Sequence, residues 1–97
     1  MEKIQVQYFG SVSAAAKKTE EKVDFVPDAT VYNILRKLAC DNEKYFQDEI
    51  FGNDGESLRD DLTVTVNGKA IDHSIISEIN LQPGDSLALF PIFPGGG

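Results

Sequence analysis

Leu62-Thr63-Val64-Thr65-Val66-Asn67-Gly68-Lys69-Ala70-Ile71 reads as two strands joined by a tight turn. Leu62, Val64 and Val66 alternate with two threonines, the two-residue period of a strand that buries one face. Asn67-Gly68 is the strongest short hairpin signal, because both residues tolerate the positive φ that a type I′ turn demands. The chain then returns through Lys69 to Ile71.

Reading toward the C-terminus, Gln82-Pro83-Gly84-Asp85 has turn chemistry, with proline presetting φ and glycine supplying a left-handed position. Residues 86–90 read as a final strand. In the other direction lies an acidic stretch. Residues 41–61 hold eight acids (Asp41, Glu43, Asp48, Glu49, Asp54, Glu56, Asp60, Asp61) against Lys44 and Arg59, a local balance of −6. Tyr45, Phe46, Ile50 and Phe51 give it anchors for a second short helix. Before it, Thr30 is placed as a helix N-cap, and Val31, Ile34, Leu35, Leu38 and Ala39 recur on one face, predicting an amphipathic helix of about ten residues. Residues 21–26 alternate Val23 and Phe25 with charged neighbours, and residues 3–9 alternate Ile4, Val6 and Tyr8 with polar ones, so these are two further strands, each the other's partner. Alanine-rich residues 13–18 predict a short helical turn between them.

The order is therefore strand, strand, helix, strand, strand, strand. A hairpin, a helix crossing one face and later strands completing a mixed sheet make an α+β fold. It is the β-grasp or ubiquitin-like roll, with about five strands and one main helix. Residues 1–90 are expected to form this domain and residues 91–97 a flexible glycine tail.

Composition narrows the function. A chain of 97 residues makes one domain. The net charge of −7 excludes nucleic acid as a partner, since phosphate binding needs clustered Lys and Arg. The apolar runs are too short for a membrane span, and the opening Met1-Glu2-Lys3-Ile4 lacks a secretory signal, so the expected location is cytoplasmic. A single cysteine, Cys40, excludes an internal disulfide, a two-iron cluster and an all-cysteine zinc site, and no metal is expected. Cys40, at the expected helix end, is read as a buried or half-buried thiol, and His73, without a nucleophile or second ligand nearby, as a surface histidine. The acidic residues lie in a charged stretch rather than among apolar ones, so no catalytic constellation emerges.

The chemistry is at the end of the chain, Pro91-Ile92-Phe93-Pro94-Gly95-Gly96-Gly97. Three successive glycines at one specified place arise by chance about three times in ten thousand. Without Cβ such a tail threads a narrow channel and brings its α-carboxylate into another protein's active site. The seven residues after Phe90 reach about 23 Å at ~3.3 Å each. Ordering them costs about 7 to 14 kcal/mol, and burying Ile92 and Phe93 returns only ~3 to 6 kcal/mol, so the folded body must also contact the partner.

Gly84-Asp85-Ser86-Leu87-Ala88-Leu89-Phe90-Pro91 before a glycine terminus, together with Val66-Asn67-Gly68 and the strand ending Tyr8-Phe9-Gly10, resembles the MoaD/ThiS family of ubiquitin-like sulfur carriers, most closely the MoaD branch. The resemblance runs through nearly the whole chain, and its C-terminal stretch is the distinctive part. It implies a carrier that is not itself an enzyme and binds no cofactor. An E1-like adenylating enzyme would use ATP on the terminal glycine carboxylate, and a sulfur donor protein would convert the adenylate to a thiocarboxylate. In the MoaD branch the sulfur goes to a pterin held by the large subunit of molybdopterin synthase. Carried onto this sequence, Gly97 is the activated terminus, and Phe90, Pro91, Ile92, Phe93, Pro94, Gly95 and Gly96 are partner contacts.

The chain departs from the family pattern in three ways. Ile92-Phe93-Pro94 precedes three glycines rather than two, so either the partner accepts a longer tail or Gly97 is removed and Gly96 becomes reactive. Residues 11–18 lack the Arg-Glu-Leu type of sequence, and the acidic insertion is longer. The other readings are a carrier for thiamine, cysteine or tRNA thiolation, a protein modifier conjugated through its C-terminal glycine, and an interaction module with an inert tail.

Overall fold

In the computed structural model, residues 2–52 and 55–91 are described. Five strands, β1 (Lys3–Tyr8), β2 (Glu20–Asp24), β3 (Leu62–Val66), β4 (Lys69–Ile71) and β5 (Ser86–Pro91), form one mixed sheet in the order β2-β1-β5-β3-β4. The expected initial hairpin is β1 antiparallel to β2, with Ile4 opposite Val23. β5 enters the middle, parallel to β1 and antiparallel to β3, and so makes the sheet mixed.

The period-two pattern decides which face is covered. Ile4, Val6 and Tyr8, Leu87 and Leu89, and Leu62 and Val64 all point to one side and are buried. On them sits α2 (Val31–Asp41), the main helix, which buries Val31, Ile34, Leu35, Leu38 and Ala39 as its spacing predicts. Its start is a capping box: Thr30 Oγ1 accepts from the Asn33 backbone N–H at 3.2 Å, and Asn33 Oδ1 accepts from that of Thr30 at 3.0 Å. Cys40 is exposed, contrary to the expectation of a buried or half-buried thiol. At 100° per residue it lies opposite the Val31, Ile34, Leu38 stripe, so the helix's own period turns it outward.

Two seven-residue helices flank α2. The first, α1 (Gly10–Ala16), starts three residues before the expected turn and buries Val12 and Ala16. The second, α3 (Lys44–Ile50), is the short helix expected in the acidic stretch. Phe46, Ile50 and Phe51 anchor it as expected, but Tyr45 is 74% exposed. It lies one position before Phe46, so its side chain leaves from the opposite side of the helix. Leu58 is buried in its place. Arg36 of α2 braces this acidic lobe, its guanidinium 5.3 Å from the Phe51 ring centroid and donating to the Gly55 carbonyl. Tyr32 donates to the Glu56 carbonyl at 2.9 Å.

The turns behave as their residues dictate. Asn67 and Gly68 have φ of 52° and 85°, both left-handed as a type I′ turn requires. Asn67 also bonds β5: its Oδ1 accepts from the Ser86 N–H at 3.0 Å, and its Nδ2 donates to Asp85 Oδ1 at 3.1 Å. In the second turn Asp85 N–H donates to the Gln82 carbonyl at 3.0 Å, with Gly84 at φ 85°. These contacts fasten one end of the sheet.

Candidate functional site

The opposite end is where the last described residue stands. β5 runs one residue beyond the expected strand, so that Pro91 pairs with Leu62. Along β1 the parallel ladder continues until Phe9 N–H donates to the Leu89 carbonyl at 3.1 Å. Its next rung would run from the N–H of residue 91 to the Phe9 carbonyl. Proline has no N–H, and that carbonyl has already turned to start α1, accepting from Val12 at 3.2 Å and Ser13 at 3.4 Å. Both strands therefore leave the ladder at the same level, and no buried donor is stranded. On the far side, Val64 faces Ile71, so Leu62 would next face residue 73. His73 fills that place with its ring: Nε2 lies 2.7 Å from the Leu62 carbonyl and acts as donor there. It is half-buried and structural, not the free surface histidine expected.

Of the candidate site residues, the structure places two. Pro91 ends the central strand, and Phe90, beside it, is half-buried on the face that carries no helix. Ile92, Phe93, Pro94, Gly95, Gly96 and Gly97 lie outside the described residues. Phe90 has a partner that the candidate set lacks. Its ring stacks on Phe9, with centroids 4.5 Å apart and planes 10° from parallel, and Phe9 remains 41% exposed. The signal for Phe9 was present: Ile4, Val6 and Tyr8 point inward, so a large aromatic at the next position must sit in the outward phase.

Below the stack the face is short-chained and uncharged. Gln7 of β1, Ala88 of β5 and Thr65 of β3 stand abreast, with Gln5 beside Ser86 in the next row. Charge returns only on edge strand β2, with Glu20 and Lys22. On the rim near the Leu62–Pro91 pair, Asp61 accepts from Arg59 Nε at 2.9 Å and Nη2 at 2.7 Å. That carboxylate holds the guanidinium's affinity for its proton above the ordinary arginine value.

Nothing else in the described residues makes a reactive centre. A shallow depression of about 350 Å³ brings Ser57, Ser74, Ser77, Asp60 and His73 to its lining, but the histidine's Nε2 is committed to the Leu62 carbonyl. Among the described residues no group of three or more His, Cys, Asp or Glu is placed to hold a metal ion. No helix among them is long and apolar enough to cross a membrane.

A mixed five-stranded sheet with β5 central, helices on one face and the terminal segment leaving from the middle strand defines a ubiquitin-like β-grasp protein. The family model of ThiS matches residues 6–96, and the chain belongs to the ThiS family of ubiquitin-like sulfur carriers and modifiers. Among solved structures, SAMP1 from Haloferax volcanii is 32% identical, with 97% of this chain and 99% of that one covered and a TM-score of 0.82. A Pyrococcus furiosus protein described as molybdopterin converting factor, subunit 1, is 25% identical over 96% of this chain and 100% of that one, with a TM-score of 0.73. Urm1 from Trypanosoma brucei is 23% identical over 98% and 96%, with a TM-score of 0.78, a likeness of fold. Among curated protein sequences none matches this chain.

Proposed function

We propose that this chain is a sulfur carrier whose C-terminal glycine is activated as an adenylate and converted to a thiocarboxylate. The observation that carries the reading is the exit of β5 at Pro91, beside an exposed aromatic stack on an uncharged sheet face. The six remaining residues of the sequence reach about 20 Å at ~3.3 Å each, so a body docked on that face delivers its terminus well inside a partner. The Gly97 carboxylate attacks the α-phosphorus of ATP on an E1-like adenylating enzyme, and pyrophosphate leaves. Sulfide-level sulfur from a donor protein then attacks the acyl carbon, AMP leaves, and the product thiocarboxylate presents a nucleophilic sulfur. ATP belongs to the activating enzyme, and the carrier itself holds no cofactor and performs its role in the cytoplasm.

Among carriers, the molybdenum or tungsten cofactor route leads, with the sulfur passed to a pterin on the large subunit of molybdopterin synthase. The family resemblance and the likeness to the Pyrococcus furiosus converting factor support it. Thiamine, cysteine and tRNA thiolation are the other destinations. The test is the intact mass after incubation with the candidate activating enzyme, ATP and sulfur donor. A gain of about 16 Da on the C-terminal peptide, oxygen replaced by sulfur, is expected and locates the reactive residue at Gly97 or Gly96. No gain where a known carrier is converted overturns the reading.

A second reading is a protein modifier joined through the same glycine to lysines of other proteins. It is favoured by the 32% identity to a structure whose relatives bear the name small archaeal modifier protein. Adducts of higher mass in cell lysate, lost on deleting Gly96 and Gly97, are its signature.

A further inference from the structure

On the open face, β5 presents Ser86, Ala88 and Phe90. Ala88 is only 7% exposed although no helix covers that side. The register explains this: Ala88 stands between Gln7 of β1 and Thr65 of β3, with Phe90 the next outward residue along its own strand. A lone methyl group ringed by three taller side chains is the floor of a shallow depression. It adjoins the Phe9–Phe90 stack, one of the few exposed aromatic surfaces on the molecule.

Two observations say what covers it. The side chains around the depression are uncharged in a chain of which 26% is charged, so the surface that meets it is apolar or neutral rather than basic. The sequence also continues for six residues from a point one residue beyond Phe90, so the protein that receives the tail lies against this face. We infer that Ala88 is the specificity-determining position of the open face, and that the depression above it receives one aliphatic side chain of the enzyme that activates the tail. The inference rests on the carrier reading. A bulkier residue at 88 fills the space the partner's side chain needs, and because the bodies meet before any chemistry, the loss falls on binding.

The experiment is a steady-state assay of pyrophosphate release with the full chain, the candidate activating enzyme and ATP. Ala88→Leu is expected to raise KM about ten-fold or more with kcat within about two-fold. Ala70→Leu adds the same bulk one strand further along the row, opposite Thr65 but outside the depression, and is expected to leave KM within about two-fold. Ala88→Thr, a strand-favouring residue of intermediate size, is expected to give an intermediate KM and decides the matter if the leucine variant does not fold. Unchanged KM for both variants at 88, or an equal loss from Ala70→Leu, overturns the depression while leaving the carrier reading intact. A wild-type chain that supports no pyrophosphate release overturns the carrier reading, and the assigned occupant with it.

Discussion

The two faces of β5 carry opposite work within six residues. Leu87 and Leu89 point into the core and are wholly buried, whereas Ser86, Ala88 and Phe90 point to the side without helices. Adjacent residues on one strand thus belong to different parts of the free energy, one face holding the fold together and the other left for a partner. The period of two makes this separation possible, because a residue can change on one face without altering what its neighbour touches.

The sharpest way to break the comparison is to truncate neighbours. Leu89→Ala leaves a cavity under the helices and is expected to cost about 2 to 5 kcal/mol, read as a lowered urea midpoint. Phe90→Ala, one residue on, loses its stacking on Phe9 and is expected to cost about 0.5 to 1.5 kcal/mol, yet to raise the KM for activation at least as much as Ala88→Leu. Equal destabilisation by the two would mean that the faces are not independent.

Tyr8 tests the covered face from its polar end. Its hydroxyl donates to Glu21, which also pairs with Lys18 at 3.1 Å, and its ring meets Phe46 edge-on at 5.3 Å. Burial first, then the Glu21 carboxylate, pushes the phenol's pKa well above its ordinary 10.0. A raised folded pKa means that the protonated phenol stabilises below the unfolded value and that this stability is lost as pH rises past it. Melts from pH 8 to 11 should therefore show wild-type stability falling above pH ~10 by up to about 1.4 kcal/mol per unit. Tyr8→Phe should cost about 1 to 2 kcal/mol at neutral pH and abolish that alkaline fall.

The smallest effect belongs to the open face. Lys3 and Asp24 pair at its edge, and the Lys3 hydrogen bond and charge hold the Asp24 carboxyl below its ordinary value. A lowered folded pKa gives stability present above the unfolded pKa and lost as pH falls through the folded one. Lys3→Gln should flatten only that acid limb, and the difference should shrink in added salt. A change near neutral pH would show that the edge pair does more than screenable electrostatics.

Wherever a single period ruled, the sequence was easy to read. The alternations of Ile4, Val6 and Tyr8 and of Leu62, Val64 and Val66 gave strands, the Val31 to Ala39 spacing gave the main helix, and Asn67-Gly68 gave its hairpin. The misreadings arose where one residue had to be assigned a direction. Cys40 and Tyr45 were judged by residue type, although the helical period turns both outward. His73 was judged by the absence of reactive neighbours, and its real partner is a backbone carbonyl eleven residues away that only the register reveals. At the site, Phe90 and Pro91 were legible from the motif. Phe9 was not singled out, because its role depends on β1 and β5 lying side by side, a parallel pairing between the two ends of the chain.

That parallel pairing also determines how the molecule bears a load. A partner that draws the tail into a channel pulls β5 along its own axis, and β5 is held on both sides, by β1 and by β3. The rungs on each flank are then stretched together in shear rather than opened one after another. The strand that leads to the tail is thus the most firmly moored of the five, and the terminus can be pulled hard without unravelling the body behind it.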